Sequence, residues 1–142
     1  ALNVYGKALA YVLGGYSLED ALFTCQDRQT HASLAFPYRR WRNNLDDLQV
    51  VGRELRTVCY VDDAFPLILY FALKYETDFE QALIVNTNVG GDNVHRGALL
   101  GALIGARVGC EGIPAELVEG LVDFGRLDEL ADALWAVSKA HS

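Results

Sequence analysis

The sequence predicts an all-α protein, and three observations indicate this class. Apolar residues recur at helical spacing in most of the segments between glycines and prolines, beginning with Leu2 to Leu13. No segment shows convincing alternation of polar and apolar residues with a period of two, which is typical of a half-buried strand. Hydrophobic residues make up 51% and charged residues 22% of the 142 residues, as in ordinary globular proteins. We therefore expect a compact multi-helix orthogonal bundle of about seven helices, forming a single domain over residues 1–142.

The amino-terminal half contains three predicted helices and one segment without a period. The first helix, Leu2 to Leu13, ends at the Gly14-Gly15 pair, and Ser17 has the character of an N-cap for the second. A third helix begins within Asn44 to Asp47. Its predicted buried face consists of Leu48, Val51 and Leu55. The intervening segment, Gln26 to Asn44, reads as a long ordered loop because its aromatic residues and arginines follow no period.

Arginines and aromatic residues alternate within that loop, at Tyr38, Arg39, Arg40, Trp41 and Arg42. Guanidinium groups bind phosphate and stack on rings, so one interpretation is the wall of a phosphate-binding pocket. The other interpretation, which we favour, is a solvated surface loop with an aromatic anchor. His31, earlier in the same loop, has no partner at metal-ligand spacing.

The segment from Val58 to Tyr75 predicts a nearly all-apolar, buried helix in which Pro66 occupies the first turn. Asp62 and Asp63 precede this proline. They either cap the helix amides or face a cleft, where they would bind a cation or a sugar hydroxyl. The next helix begins at a capping box formed by Thr77 and Glu80.

The chain ends in two further predicted helices. Gly112-Ile113-Pro114 predicts a turn whose proline starts a short helix through Leu117 and Leu121. Arg126 to Ala140 then carries apolar residues at helical spacing and predicts an amphipathic helix.

The most unusual stretch of the chain is Asn86 to Gly109, which precedes the two carboxy-terminal helices. Its first part places polar residues around the Gly90-Gly91 pair, and its second part has glycines at four-residue intervals, at Gly97, Gly101, Gly105 and Gly109. A glycine inside a helix costs about 1 kcal/mol relative to alanine. Four in register therefore indicate a smooth helix face against which another helix packs closely.

Composition excludes several classes of function. The net charge of -7 would repel a phosphate backbone, so a nucleic-acid partner is not expected. The longest apolar run, Gly97 to Ala106, is about ten residues, far short of the roughly 20 needed for a membrane span. Three cysteines without a C-x-x-C pair, Cys25, Cys59 and Cys110, predict reduced thiols in a cytoplasmic protein, and we expect them to be small buried hydrophobes.

The motifs from Val58 to Leu121 occur in a characteristic order: V-D-D-A-F-P, T-D-F-E-Q-A-L, G-G-D, G-A-L-L-G-A-L-I-G-A-R-V-G and G-I-P. This series resembles the ADP-ribosylglycohydrolase family, the all-α, metal-dependent hydrolases that include dinitrogenase reductase activating glycohydrolase. In that family a proline-containing buried helix leads into a capped helix, a G-G-D-T-D-T motif, a small-residue helix and an I-P turn. An ordered series of this kind is far more specific than any one motif.

The resemblance implies a cleft in which two Mg²⁺ or Mn²⁺ ions help to remove ADP-ribose from a protein or a small molecule. Asp92 matches the first aspartate of the family motif and would bind metal. Asp63 and Asn93 would line the cleft, and His95 would contact substrate or a metal-bound water. From the residues alone, Asp92 serves equally well as an N-cap of the glycine-rich helix.

Two departures from the family pattern limit what the resemblance implies. Val94 occupies the position of the second aspartate and His95 that of the following threonine, so one metal ligand is missing. The family's amino-terminal motifs are also absent, so the chain resembles a carboxy-terminal half, either a fragment or a natural half-length protein. The alternative to a hydrolase is a non-catalytic helical scaffold or oligomeric binding protein, and under either view we expect a homo-oligomer.

Overall fold

The computed structural model describes residues 1–24 and 31–140, and within these ranges it contains helices and no β-strand. The predicted all-α class is therefore confirmed for the described part of the chain. Cys25 and the stretch Gln26 to Thr30 lie outside the described residues. No helix in the described ranges is both long enough and apolar enough to cross a membrane.

Nine α-helices follow one another along the described ranges. They are α1 (Leu2–Leu13), α2 (Leu18–Phe23), α3 (Tyr38–Asn44), α4 (Asp47–Gln49), α5 (Val61–Lys74), α6 (Phe79–Asn88), α7 (Asn93–Val108), α8 (Ala115–Glu119) and α9 (Phe124–Ala140). Short 3₁₀ turns occupy Ala32–Ala35 and Cys110–Gly112, and one π-helical turn, Val50–Glu54, continues α4. Contacts group the chain into two compact units, Ala1–Gly112 and Ile113–Ser142. The single domain over residues 1–142 stays a prediction.

Helix α5 forms the centre of the first unit. Nine consecutive residues, Phe65 to Leu73, are buried, so the helix is covered on every side, as its apolar sequence predicts. Helices α2, α3, α6 and α7 all contact it, and α7 additionally packs against α1 and α6. The candidate site described below lies where α1, α5 and the amino-terminal end of α7 meet.

Side-chain caps explain where several helices begin. Ser17 accepts a hydrogen bond from the Asp20 amide at 3.0 Å, which confirms it as the N-cap of α2. Asp46 and Gln49 form a reciprocal capping box at α4, although Leu48 is exposed rather than buried. The predicted cap of α6 was wrong by one residue. Asp78, not Thr77, accepts the hydrogen bond, from the Gln81 amide.

The predicted loop from Gln26 to Asn44 is wrong in its described part, because Tyr38–Asn44 forms α3. This helix buries only Tyr38 and Trp41, one turn apart, so its seven residues show no longer period. Arg39 and Arg42 both bind the Glu19 carboxylate of α2. Two of the three arginines therefore hold helices together, which supports a structural role over a phosphate-binding wall.

Two further expectations are corrected. Helix α5 begins at Val61, so Pro66 lies inside the helix and not in its first turn, and Asp62 and Asp63 occupy that turn. Cys59 and Cys110 are free thiols but exposed, not the small buried hydrophobes expected. Cys59 lies in the bend before α5 and Cys110 begins the 3₁₀ turn after α7, so neither belongs to an α-helix whose apolar face would predict burial.

The glycine stripe of α7 faces α6 at two of its positions. A Cβ added to Gly97 would lie 3.1 Å from Asn86 Nδ2, and one added to Gly101 would lie 3.8 Å from the side chains of Leu83 and Phe79. Both neighbours belong to α6, so the smooth face does permit the close helix packing that the spacing predicts. Gly109 has a different role, because it ends α7 with a φ of 71°.

These distances predict opposite effects for two alanine substitutions on one helix. Gly101→Ala removes the helical cost of glycine and adds an ordinary contact, so we expect the free energy of unfolding to rise by about 0.5–1 kcal/mol. Gly97→Ala forces the Asn86 amide to move, and we expect a loss of about 1–2 kcal/mol. Urea denaturation of the two variants measures the difference. Equal effects of both substitutions would contradict this packing.

Candidate functional site

A turn of two glycines joins α6 to α7 and shapes the site. Gly90 and Gly91 both have positive φ, at 71° and 70°, a region that favours glycine. A Cβ on Gly91 would lie 1.9 Å from the Thr57 carbonyl oxygen, whereas a Cβ on Gly90 would meet no atom of the described residues within 4 Å. The Asp92 amide donates to the same Thr57 oxygen at 3.3 Å. Gly90 and Gly91 are called the glycine turn below. At Gly91 this turn fits tightly against Thr57, in the segment that precedes α5.

A buried guanidinium holds the other side of the glycine turn. Arg96 is 1% exposed, and its Nε donates to Asn86 Oδ1 at 2.7 Å. Its Nη2 donates to the backbone carbonyls of Asn86 at 3.0 Å and Gly90 at 2.8 Å. Burial lowers the pKa of Arg96, because an apolar surrounding disfavours the charged form.

Asn86 completes a ring of hydrogen bonds between the two helices. The side-chain Nδ2 of Asn86 donates to the Asn93 carbonyl at 2.9 Å, while its side-chain Oδ1 accepts from Arg96. Asn93 in turn donates from its side chain to the Thr87 carbonyl at 3.3 Å. Asn86 is 2% exposed, so both ends of its amide group are satisfied inside the protein.

Asp92 and His95 form a side-chain pair at the start of α7. The imidazole Nδ1 lies 2.8 Å and 3.0 Å from the two carboxylate oxygens. A carboxylate only accepts hydrogen bonds, so Nδ1 carries the proton and Nε2 is left for another partner. The hydrogen bond from the His95 side chain lowers the pKa of the Asp92 carboxyl. Asp92 occupies the N-cap position, but its carboxylate makes no capping hydrogen bond.

A cavity of about 280 Å³ opens beside this pair. Most of its wall is apolar and comes from α1, from the approach to α5 and from α5 itself. Its lining residues are Ala1, Leu2, Tyr5, Cys59, Val61, Ala64, Phe65, Ile68, Asp92, His95, Arg96 and Leu99. Tyr5 crosses from α1 to α7, where its hydroxyl donates to the Leu99 carbonyl at 3.0 Å. The polar groups of the pair thus share one concave surface with apolar and aromatic side chains.

The structure brings two of the four predicted site residues to this cavity. Asp92 and His95 line it. Asp63 lies in the first turn of α5 but does not line the cavity, although Ala64 beside it does. Asn93 is engaged with Thr87, and its side chain does not line the cavity either. Roles for Asp63 and Asn93 in substrate binding stay predictions.

The donor set near Asp92 does not fit a dinuclear metal site. Both Asp92 oxygens lie within hydrogen-bond distance of His95. Val94, at the position of the second aspartate in the family motif, has no metal-binding atom and is exposed. Residues 1–24 and 31–140 contain no group of three His, Cys, Asp or Glu residues arranged to hold a metal ion. A Mg²⁺ or Mn²⁺ ion at Asp92 stays a prediction.

Sequence reasoning missed the roles of Arg96 and Asn86, which hold α6 and α7 together. One signal was present in the sequence. Arg96 stands four, seven and eight residues before the buried face of α7, at Leu100, Leu103 and Ile104. That spacing places the guanidinium on the apolar face, where a buried charge requires specific partners.

The two glycines of the turn provide a matched test of its fit. Gly90→Ala meets open space and costs only the left-handed backbone, about 1–2 kcal/mol. Gly91→Ala carries the same backbone cost and also collides with Thr57, so we expect at least about 3 kcal/mol of destabilisation. Chemical denaturation of both variants measures the gap. A Gly91→Ala variant as stable as Gly90→Ala would show that Thr57 does not contact the turn.

Comparison with known proteins agrees with the arrangement of motifs. The chain is 36% identical over 102 residues to an uncharacterized protein from Archaeoglobus fulgidus. The aligned region covers 68% of this chain but 31% of that relative, so the chain spans about a third of the relative's length. No solved structure matches the chain. The family model for ADP-ribosylglycohydrolase matches residues 2–142. The chain belongs to the ADP-ribosylglycohydrolase family.

Proposed function

We propose that this chain contributes to the binding and hydrolysis of ADP-ribosyl compounds, and that the cavity beside Asp92 and His95 contacts the ADP-ribosyl group. The observation that carries the proposal is a coincidence of position. The aspartate of the family's G-G-D motif and the imidazole beside it border the same apolar cavity. The substrate would be an ADP-ribosylated protein or small molecule, as the family suggests.

The dimensions of the cavity support partial rather than complete enclosure of such a ligand. Its 280 Å³ lies at about the lower limit of the roughly 300–1,000 Å³ found for pockets that hold a whole drug-sized molecule. One ring system would fill it, with Phe65 and Ile68 offering apolar contact. Asp92 and His95 would then bind hydroxyl groups at its border, because a carboxylate accepts hydrogen bonds and Nε2 remains available.

Hydrolysis would require that a water molecule replace the group attached to the ribose. In the family this chemistry is metal-dependent, but the residues beside the cavity do not fit a dinuclear metal site, so this chain's own residues are proposed to bind and orient the ADP-ribosyl group. Among the described residues, Asp92 is the carboxylate that lines the cavity, and a Mg²⁺ ion bound there would need further ligands from water or substrate phosphates. In this proposal the chain therefore provides recognition and one carboxylate.

A second candidate function is binding without hydrolysis, and two observations favour it. Val94 stands where the second metal-binding aspartate would be, and the Asp92 carboxylate is already engaged by His95. A protein of this kind would hold ADP-ribosyl compounds, or act as a helical scaffold, without cleaving them. Self-association stays a prediction, which light scattering would test. A cytoplasmic location also stays a prediction.

Calorimetry with ADP-ribose tests the proposed site. We expect Asp92→Asn and His95→Gln each to weaken binding about tenfold or more, equivalent to roughly 1.4 kcal/mol. Asp62→Asn is the matched control, because this carboxylate is exposed at the start of α5 and does not line the cavity. Absence of ADP-ribose binding by the unsubstituted protein, or equal affinities in all four proteins, would contradict the proposal.

An assay for release of ADP-ribose then separates the two candidate functions. Arginine-, serine- and small-molecule-linked ADP-ribosyl substrates would be incubated with the protein and Mg²⁺ or Mn²⁺. Release that is lost in Asp92→Asn identifies a hydrolase. Tight binding without release from any substrate identifies the binding protein.

A further inference from the structure

We infer that Arg96 and Asn86 are positioning residues for the Asp92–His95 pair. The inference rests on the proposed function only in taking this pair as the functional group. The hydrogen bonds of Arg96 and Asn86 fix the backbone between α6 and α7.

Side chains of α7 bind backbone carbonyls at the carboxyl end of α6. The last carbonyl groups of a helix have no partner within the helix and carry partial negative charge. Arg96 binds the Asn86 carbonyl and the Gly90 carbonyl beyond the helix end, and Asn93 binds the Thr87 carbonyl. The amino-terminal turn of α7 therefore adds side-chain donors to the end of α6, where the amides of Val89 and Gly90 already donate to the carbonyls of Val85 and Thr87.

The geometry of the hydrogen bonds to Asn86 requires an arginine at position 96. Nε and Nη2 of one planar guanidinium bind the side-chain oxygen and the backbone oxygen of the same residue, Asn86. A lysine has a single nitrogen and cannot reproduce this fork. Nη1 of Arg96 is buried and has no hydrogen-bond partner among the residues that the structure describes. A buried donor without a partner lowers stability, so the arrangement fixes geometry at some expense of stability.

The backbone that leads to Asp92 is held from two sides. Arg96 holds the Gly90 carbonyl from one side, and Thr57 contacts Gly91 and the Asp92 amide from the other. The chain is thereby fixed immediately before Asp92. On the helix, Arg96 directly follows His95, so the guanidinium points inward while the imidazole is exposed. Fixing Arg96 therefore sets the orientation from which His95 reaches Asp92.

The test reads the His95 tautomer by nitrogen NMR, without ligand, at about pH 9, where an ordinary imidazole is neutral. The His95 signals are assigned from their absence in His95→Gln. In the unsubstituted protein we expect the Nδ1–H form to predominate, since Asp92 accepts that proton. In Arg96→Met and Arg96→Lys, the excess of the Nδ1–H tautomer over the Nε2–H tautomer of His95 should fall by at least half. Neither variant can make the paired hydrogen bonds from Nε and Nη2 to Asn86.

Arg107 provides the matched control. It lies near the other end of α7, and its Nε donates at 2.8 Å to Glu76, which lies between α5 and α6, so it is also an arginine that ties α7 to another part of the fold. We expect Arg107→Lys to keep the unsubstituted tautomer even where it lowers the melting temperature. A purely structural role for Arg96 would likewise lower the melting temperature and leave the tautomer of the folded protein unchanged.

The outcomes are decisive in each direction. If Arg96→Met does not fold, Arg96→Lys carries the test alone, since it keeps the charge and most of the length. Retention of the Nδ1–H form in folded Arg96→Lys overturns the inference, as does an equal change in Arg107→Lys. ADP-ribose affinity is measured separately. If the unsubstituted protein does not bind ADP-ribose, the proposed function fails, while the tautomer result still decides the positioning role.

Discussion

The hydrogen bonds from the buried Arg96 guanidinium to the end of α6 are the constraint on which the site depends. A charge that is 1% exposed must find acceptors inside the protein, and here it finds them on Asn86 and Gly90. The neighbouring sequence then has little freedom. Gly97 must be small because Asn86 lies 3.1 Å from where its Cβ would be, and Gly91 must be glycine because Thr57 occupies that space.

Much of the fold could be predicted because local rules and packing agree there. The apolar run through Phe65 and Leu73 marks a helix buried on all sides, and the glycine spacing of α7 marks its close approach to α6. The failures have physical causes. Helix α3 is too short to show a period, since it buries only Tyr38 and Trp41. Thr77 and Asp78 are both good caps, so backbone geometry chose between them.

The site was less predictable than the fold because side-chain partners depend on tertiary contacts. Sequence motifs brought attention to Asp92 and His95, and the structure places both at one cavity. They did not indicate that Asp92 would be engaged by His95, nor that Tyr5 would contribute from α1, far away in the chain. Asp63 illustrates the limit. It stands one residue before a cavity-lining alanine, and a helix turns adjacent side chains in different directions.

Family membership and local geometry support different parts of the functional account. The family relates the chain to ADP-ribosyl chemistry, while the chain spans about a third of the length of the relative from Archaeoglobus fulgidus. Within the described residues, Asp92 and His95 border one cavity, while Val94 at the position of the second family aspartate has no side-chain atom that binds metal. The hydrogen bonds between Arg96 and Asn86 would keep the surface around Asp92 and His95 ordered in either candidate function.

A double-mutant cycle between Asn86→Leu and Arg96→Met tests that central interaction most directly. Unfolding free energies of the unsubstituted protein, both single variants and the double variant give the coupling between the two side chains. A charged group hydrogen-bonded inside a protein predicts a coupling of about 1.5–3 kcal/mol. Additive effects, agreeing within about 0.5 kcal/mol, would show that Arg96 and Asn86 act independently and would contradict the account.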